Sequence, residues 1–323
     1  TNIVKQSCHG DCGSCSGFYT ANTMGCILEV MGLTLPNGSS NMSMSSEKFE
    51  ECNQAGKIIK NLLINDIKPL DIMTREAFLN AIKLLFLIGG STNGVIHLLA
   101  MAKTAKVELT LEDFKKYEYL PVITNMKPHG KYVMNDLSNI GGTKYVIKYL
   151  IDQNIINGDC LTITGKTLSE NLSNVNSDFI NNNSSKIIHR INDPFKKSSH
   201  INILTGNLAP NGSVSKIYSE KKMFSGKAKV YNTEKAMLLA LEQGEISSDN
   251  FVILRYQGES IGCPEMLSPT SALVGYFGDK VPPLATDGRF SGGSSGILVA
   301  HLPDAYKKES ITALIQDEDM IKI

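Results

Sequence analysis

Between residues 173 and 186 the chain reads SNVNSDFINNNSSK, a polar, Asn- and Ser-rich stretch without periodicity, and the sequence changes character across it. Before it, apolar residues recur at helical spacing. After it come short β-rich runs punctuated by Gly and Pro. At 323 residues the chain is long enough for two domains, each with its own core. The fold class is read as α/β: an α/β domain over 1–186, then a β-rich, barrel-like domain over 187–323.

The helical pattern is specific. TANTMGCILEVMG (20–32) places Met24, Ile27, Leu28 and Met31 on one face, and Gly32 and Pro36 stop it. Residues 46–65 form a second amphipathic helix. Residues 74–90 form a third, with Thr74 as cap and Gly89-Gly90 as its end. Further helices are expected over 93–105, over 110–117 behind a Thr-x-x-Asp cap, and over 139–154. LPVIT (120–124) and CLTITG (160–165) read as short strands. In the second domain INILTGNLAP, AKVYN, NFVILRYQG, VPPLATDG and GILVAHL read as strands, with one helix over 233–244. No repeat of 20 to 50 residues is visible.

Charge narrows the function classes. Lys+Arg and Asp+Glu both number 32, so the net charge is zero, which argues against a nucleic-acid or anionic-membrane surface. No apolar run reaches the ~18 residues of a membrane span. Seven Cys, an odd number in a core-rich chain, fit a reducing compartment better than a disulfide framework. The opening TNIVKQSC carries no secretory signal and no Met, which reads as a processed form or an excerpt.

Three segments carry chemistry. CHGDCGSCSGFYTANTM (8–24) holds Cys8, Cys12 and Cys15 ahead of a helix, where the N-terminal dipole favours a thiolate. A redox pair needs a preceding strand and a zinc site needs a second Cys pair, and neither is present. An iron–sulfur ligand set and unpaired loop cysteines both stay open. GCPEMLSPTSAL (262–273) places Glu265 in a Gly/Pro turn before a helix start, as a solvated charge or a ligand for a hard cation. ATDGRFSGGSSG (285–296) runs from a strand into a Ser/Gly loop whose backbone N–H groups and Arg289 favour an anion, with Ser291 and Ser294 available for chemistry. GGSTNG (89–94) reads as a tight helix–helix connection, and His97 and His301 as core histidines.

Together these segments resemble the dihydroxy-acid dehydratase family, which also includes 6-phosphogluconate and sugar-acid dehydratases. The resemblance runs through CGSCSGFYTANTM, KPLDIMTREAF, IGGSTNGVIHLLAMA, GKYVMNDL, GDCLTITGKTLSENL, GNLAPNGSV, CPEMLSPTSA and TDGRFSGGSSG, in the family's order. YTANTM followed by LTLPNGSS looks more like the branched-chain branch than the phosphogluconate branch. The family fold implied is a cluster-carrying α/β domain followed by a β-barrel-like swivelling domain, with the active site between them and completed by homodimerisation.

The resemblance implies dehydration of 2,3-dihydroxy carboxylates to 2-keto acids in branched-chain amino-acid synthesis. It implies an iron–sulfur cluster, [2Fe–2S] or [4Fe–4S], and Mg²⁺. By motif match, Cys15 is the cluster ligand, Glu265 a Mg²⁺ ligand and Ser291 the base, acting as an alkoxide. Arg289, Gly292 and Ser294 line the substrate loop. Cys8 and Cys12 are then neighbours of the cluster or incidental. Cys263 departs from the Met usual in the family. The family's other cluster cysteines, and an Asp and a carboxylated Lys for Mg²⁺, fall ahead of residue 1, so the 323-residue chain alone is expected to be colourless and inactive. Alternatives in view are a sugar-acid dehydratase and an inactive, truncated paralogue with a binding role. Bacterial cytoplasm and a eukaryotic organelle both fit.

Overall fold

The computed structural model describes residues 15–181, 186–217 and 223–323. The chain divides into two compact units, Thr1–Ser199 and His200–Ile323.

Helices α1 (Thr20–Val30), α2 (Ser46–Ile64), α3 (Arg75–Leu87), α4 (Asn93–Thr104) and α5 (Thr143–Asp152) carry the first unit. The hydroxyl of Thr74 caps α3 by accepting from Ala77 N at 3.3 Å, and that of Ser45 caps α2 by accepting from Lys48 N at 3.2 Å. α3 buries Phe78, Ala81, Ile82 and Leu85, spaced as one helical face, and it packs against α1 and α4. α2 keeps its helical period but has no buried residue. Phe49, Ile59 and Leu63 on it are 59%, 60% and 78% exposed, so its apolar residues do not join this core.

The strands expected over 120–124 and 160–165 are reduced to isolated bridges: Val122 with Lys196, Thr124 with Ile188, and Leu161 with Thr167. Their partners are loops that meet them at single residues, so no ladder propagates. Among the described residues of this unit there is no longer strand. The polar stretch after residue 172 is not wholly a tether. Its Ser177 hydroxyl donates to Asp152 Oδ2 at 3.1 Å, Ile180 is fully buried, and Asp178–Asn181 forms one helical turn. Residues 182–185 lie outside the described residues. Beyond them the chain stays on the first unit: Asn125 N donates to Ile187 O at 2.8 Å and His189 N to Ile123 O at 2.7 Å. Residues 187–199, grouped by composition with the second domain, thus belong by contact to the first unit.

The second unit is a seven-stranded, curled half-barrel sheet of β1 (Ile201–Gly206), β2 (Ala209–Ile217), β3 (Ser225–Tyr231), β4 (Asn250–Leu254), β5 (Leu284–Thr286), β6 (Ile297–Ala300) and β7 (Met320–Lys322). Its order is β1-β2-β6-β5-β4-β3-β7. The centre, β3-β4-β5-β6, is parallel, while β1, β2 and β7 pair antiparallel at the sides. Parallel neighbours need crossovers, and helices α6 (Glu234–Glu242) and α7 (Leu267–Phe277) supply two of them. This explains the near-continuous apolar run NFVIL. Val252 and Leu254 face the core under the helices with Met237, Leu241 and Leu273, while Phe251 and Ile253 face the other side with Ala285 and Val299. An apolar cavity of about 270 Å³ lies on that second side, lined by Leu204, Phe251, Ile253, Val299, Leu302 and Ile323 among others.

Gly32 and Gly56 give opposite tests of this fold. Gly32 ends α1 at φ +81°, and a Cβ there would sit 2.7 Å from Leu161 O, where Ile163 N also donates to Gly32 O at 2.8 Å. Gly32→Ala should destabilise the protein by at least ~2 kcal/mol. Gly56 lies within exposed α2 with no atom within 4 Å of a built Cβ. Gly56→Ala should stabilise it by ~0.5–1 kcal/mol. Urea denaturation of both variants checks the pair, and equal effects of either sign would contradict the assignment.

Candidate functional site

In open sheets with parallel strands, ligands bind beyond the carboxyl ends of the strands. β4 runs at its carboxyl end into the loop carrying Glu265, and neighbouring β5 runs into the loop carrying Arg289 and Ser291. The two loops are tied at their base by Asp287, which is buried. Its carboxylate accepts from Gln257 N at 2.8 Å, Tyr256 N at 3.1 Å and Ala305 N at 2.8 Å, joining both loops to the segment after β6. Burial raises the pKa of Asp287, against the lowering effect of those amides. A second carboxylate, Asp304, accepts from the Ser260 amide at 2.8 Å and its hydroxyl at 2.6 Å, and so fixes the start of the Glu265 loop.

Arg289 then joins the loop tips. Its backbone forms a parallel bridge with Glu265: Met266 N donates to Arg289 O at 2.7 Å and Arg289 N to Pro264 O at 3.3 Å. Its side chain donates through Nε to Cys263 O at 2.7 Å and through Nη1 to Glu265 Oε1 at 3.1 Å. Gly262 and Cys263 both sit in the left-handed region, at φ +89° and +50°, and the Cys263 carbonyl accepts the Arg289 guanidinium. Only the second of these residues is strained, because it carries a Cβ. Burial pushes the Cys263 thiol up despite the nearby guanidinium, so this cysteine is held as a neutral wall of the site.

The serine loop is a tight turn, with Ser294 N donating to Ser291 O at 3.0 Å. The Ser294 hydroxyl is buried and bonds Thr270 on the first turn of α7 at 3.1 Å. Lys216, 1% exposed on β2, donates through Nζ to Gly292 O at 2.7 Å. Burial lowers the Lys216 ammonium to about 7. Glu265, Arg289, Ser291, Gly292 and Ser294 are thus gathered into one constellation.

The other candidate, Cys15, lies in the first unit and is exposed. α1 opens at Thr20 with Tyr19 as its cap, but the chain folds back over that opening. Asn22, on the first turn, donates through Nδ2 to Cys15 O at 2.5 Å and to Gly17 O at 2.7 Å. The GGSTNG loop is more than a connection between α3 and α4. Ser91 N donates to the Thr23 hydroxyl at 3.0 Å, Thr20 and Ser91 share a hydroxyl–hydroxyl bond at 3.0 Å, and Asn93 Nδ2 donates to Thr20 at 2.9 Å. The loop therefore braces the helix end that positions Cys15. Cys8 and Cys12 lie outside the described residues. His97 and His301 are half-buried, and the His301 amide donates to Gly288 O at 3.0 Å at the root of the Arg289 loop.

The donors fit the expected groups one at a time. Glu265 offers a half-buried hard oxygen of the kind Mg²⁺ takes alongside water and substrate oxygens. Cys15 offers an accessible soft sulfur suited to iron. Among the described residues no three His, Cys, Asp or Glu side chains converge as a complete metal site. The motifs had pointed to Glu265 and Ser291. Lys216, Thr270, Asp287 and Asn22 had not stood out, and the signal that could have found them is a polar residue inside an apolar run or within a helix's first turn.

Known proteins align with the chain from end to end. Residues 1–171 match the dihydroxy-acid/6-phosphogluconate dehydratase N-terminal family and residues 186–323 its C-terminal counterpart. The chain is 49% identical to the dihydroxy-acid dehydratase of Francisella tularensis subsp. novicida, with 99% of this chain and 57% of that one covered. It is 48% identical to that of Flavobacterium psychrophilum, covering 99% and 58%. It is 47% identical to the mitochondrial dihydroxy-acid dehydratase of Schizosaccharomyces pombe, covering 100% and 54%. The chain thus spans a little over half the length of these relatives. With both family domains matched in order and nearly half the residues identical throughout, the chain belongs to the dihydroxy-acid/6-phosphogluconate dehydratase family.

Proposed function

We propose that this chain is part of an enzyme that removes water from a 2,3-dihydroxy carboxylate to give a 2-keto acid. The substrates in this reading are the branched-chain acids 2,3-dihydroxyisovalerate and 2,3-dihydroxy-3-methylvalerate. The observation that carries it is the pairing of Glu265 with Arg289 two residues before Ser291, which sets a carboxylate and a hydroxyl-bearing turn side by side. The relatives' shared name supports the choice of substrate class.

Glu265 is the Mg²⁺ ligand and Cys15 the iron–sulfur ligand in this proposal. When bound, Mg²⁺ supplies charge at the substrate carboxylate and 2-hydroxyl, and the cluster supplies a Lewis acid at the 3-hydroxyl. Ser291 takes the proton from C2. A serine hydroxyl is a weak acid, and its ionised form would need the local field of Mg²⁺, Arg289 or the loop amides. Arg289 also fixes Glu265 in one orientation, so the carboxylate does not have to be ordered when substrate arrives. Loss of the C2 proton and the 3-hydroxyl leaves an enol, which becomes the 2-keto acid. Homodimerisation, expected from the family resemblance, is part of the same proposal. No helix among the described residues is long and apolar enough to cross a membrane.

Turnover by the complete gene product, reconstituted anaerobically with iron and sulfide and supplied with Mg²⁺, tests the reading. Conversion of 2,3-dihydroxyisovalerate is expected, and turnover of gluconate-type acids alone would replace it with the sugar-acid assignment.

Two variant sets test the residue roles. Cys15→Ser should remove the visible absorbance of the cluster, because a hydroxyl is a poor ligand for soft iron, while Cys8→Ser should leave it largely intact. Equal loss from both changes would mean the thiolate is misassigned. Ser291→Ala should lower kcat severely with cluster content and substrate binding unchanged. Retention of more than about a tenth of the wild-type kcat, a barrier change under ~1.4 kcal/mol, would exclude the base role. Glu265→Gln should instead raise the Mg²⁺ concentration needed for half-maximal rate.

A further inference from the structure

Lys216 is a long cationic side chain in the middle of a sheet. β2 pairs it with Ile201 on one side and Leu298 on the other. Leu298 belongs to the core beneath α6 and α7, so residue 216 rises on that same face, where an apolar residue would be the ordinary occupant. Burying an amine is unfavourable unless it gains a defined partner. One partner is the carbonyl of Gly292, the residue after Ser291, at 2.7 Å.

The loop is therefore held from two directions. α7 holds its far end through Thr270 and Ser294, at 3.1 Å, and the sheet holds its near end through Lys216. The turn between them is closed by the Ser294 amide on Ser291 O, at 3.0 Å. We propose that Lys216 is a positioning residue for the serine loop, its Nζ fixing the Gly292 peptide and with it the direction from which the Ser291 hydroxyl meets the C2 proton. The inference rests on the dehydratase reading above and assigns to that site a residue outside its motifs. The lowered pKa of the amine fits a group enclosed on all sides.

Two readouts test this, and one needs no catalysis. In Lys216→Gln the Ser294 amide should exchange with deuterium at least about tenfold faster than in the wild type, since the turn it closes has lost one of its two holds. In the reconstituted complete gene product, Lys216→Gln should lower kcat by about a hundredfold, the scale of a small misplacement of a reacting group. KM should stay within about threefold, and cluster absorbance should be unchanged. Lys216→Arg, which keeps a cationic donor, should recover part of the loss. If Lys216→Gln does not fold, Lys216→Met supplies the same comparison with an apolar chain of similar length. A folded variant lacking the amine that keeps Ser294 protection, or keeps kcat within about threefold, overturns the proposal. If the wild type converts no dihydroxy acid, the dehydratase reading fails instead, and the exchange rate at Ser294 still decides whether Lys216 holds the loop.

Discussion

The second unit depends on a buried carboxylate held by backbone amides. Asp287 takes three backbone N–H groups, from residues 256, 257 and 305, at 2.8 to 3.1 Å. Each is a donor that would otherwise be left without a partner in the interior, so their orientation is fixed by the carboxylate. The consequence is geometric. The loops after β4 and β5 leave the sheet from a common root, and Arg289 can then bridge their tips through both backbone and side chain. The parallel pairing of β4 with β5 puts those roots side by side at the same edge of the sheet.

The same logic operates in the first unit at smaller scale. Among the described residues, 15–19 ahead of Thr20 form no regular structure. Asn22 supplies the bonds that regular structure would have provided, and Thr20, Thr23, Ser91 and Asn93 fasten the helix end to the loop between α3 and α4. Hydroxyl and amide side chains at a helix start commonly satisfy orphan backbone groups. Here one of them, Asn22, also holds the Cys15 carbonyl.

Much of this was legible in the sequence. Period and capping residues locate α1, α3 and α4, because an amphipathic helix writes its buried face into the spacing. The motifs around Cys15, Glu265 and Ser291 mark the chemistry, because a Gly- and Ser-rich loop after an apolar run is a recognisable local signal. Strand order is not local. VPPLAT and GILVA read alike whether they pair in parallel or antiparallel, so the barrel-like expectation agrees with the curled half-barrel sheet but did not specify its parallel centre and crossovers. Val122 and Leu161 have the composition of strand residues, yet each meets its partner at one point only. Lys216 was invisible for a different reason. A lysine is by residue type expected at the surface, and only the fold shows Lys216 enclosed with its amine on Gly292 O. Residues 187–199 follow a linker in sequence but bond to residues 122–125, a contact no compositional boundary can register.

The central claim is that the Glu265 loop and the Ser291 loop work as one site. A double-mutant cycle on the turnover rate measures this most directly, using Glu265→Gln, Ser291→Ala and the double variant in the reconstituted complete gene product at one fixed Mg²⁺ concentration that just saturates the wild type, where Glu265→Gln also lowers the rate. Groups that serve the same step are strongly non-additive, so the double variant should be no more than about threefold slower than the slower single variant. Losses that multiply, as they do for distant and independent positions, would contradict the account.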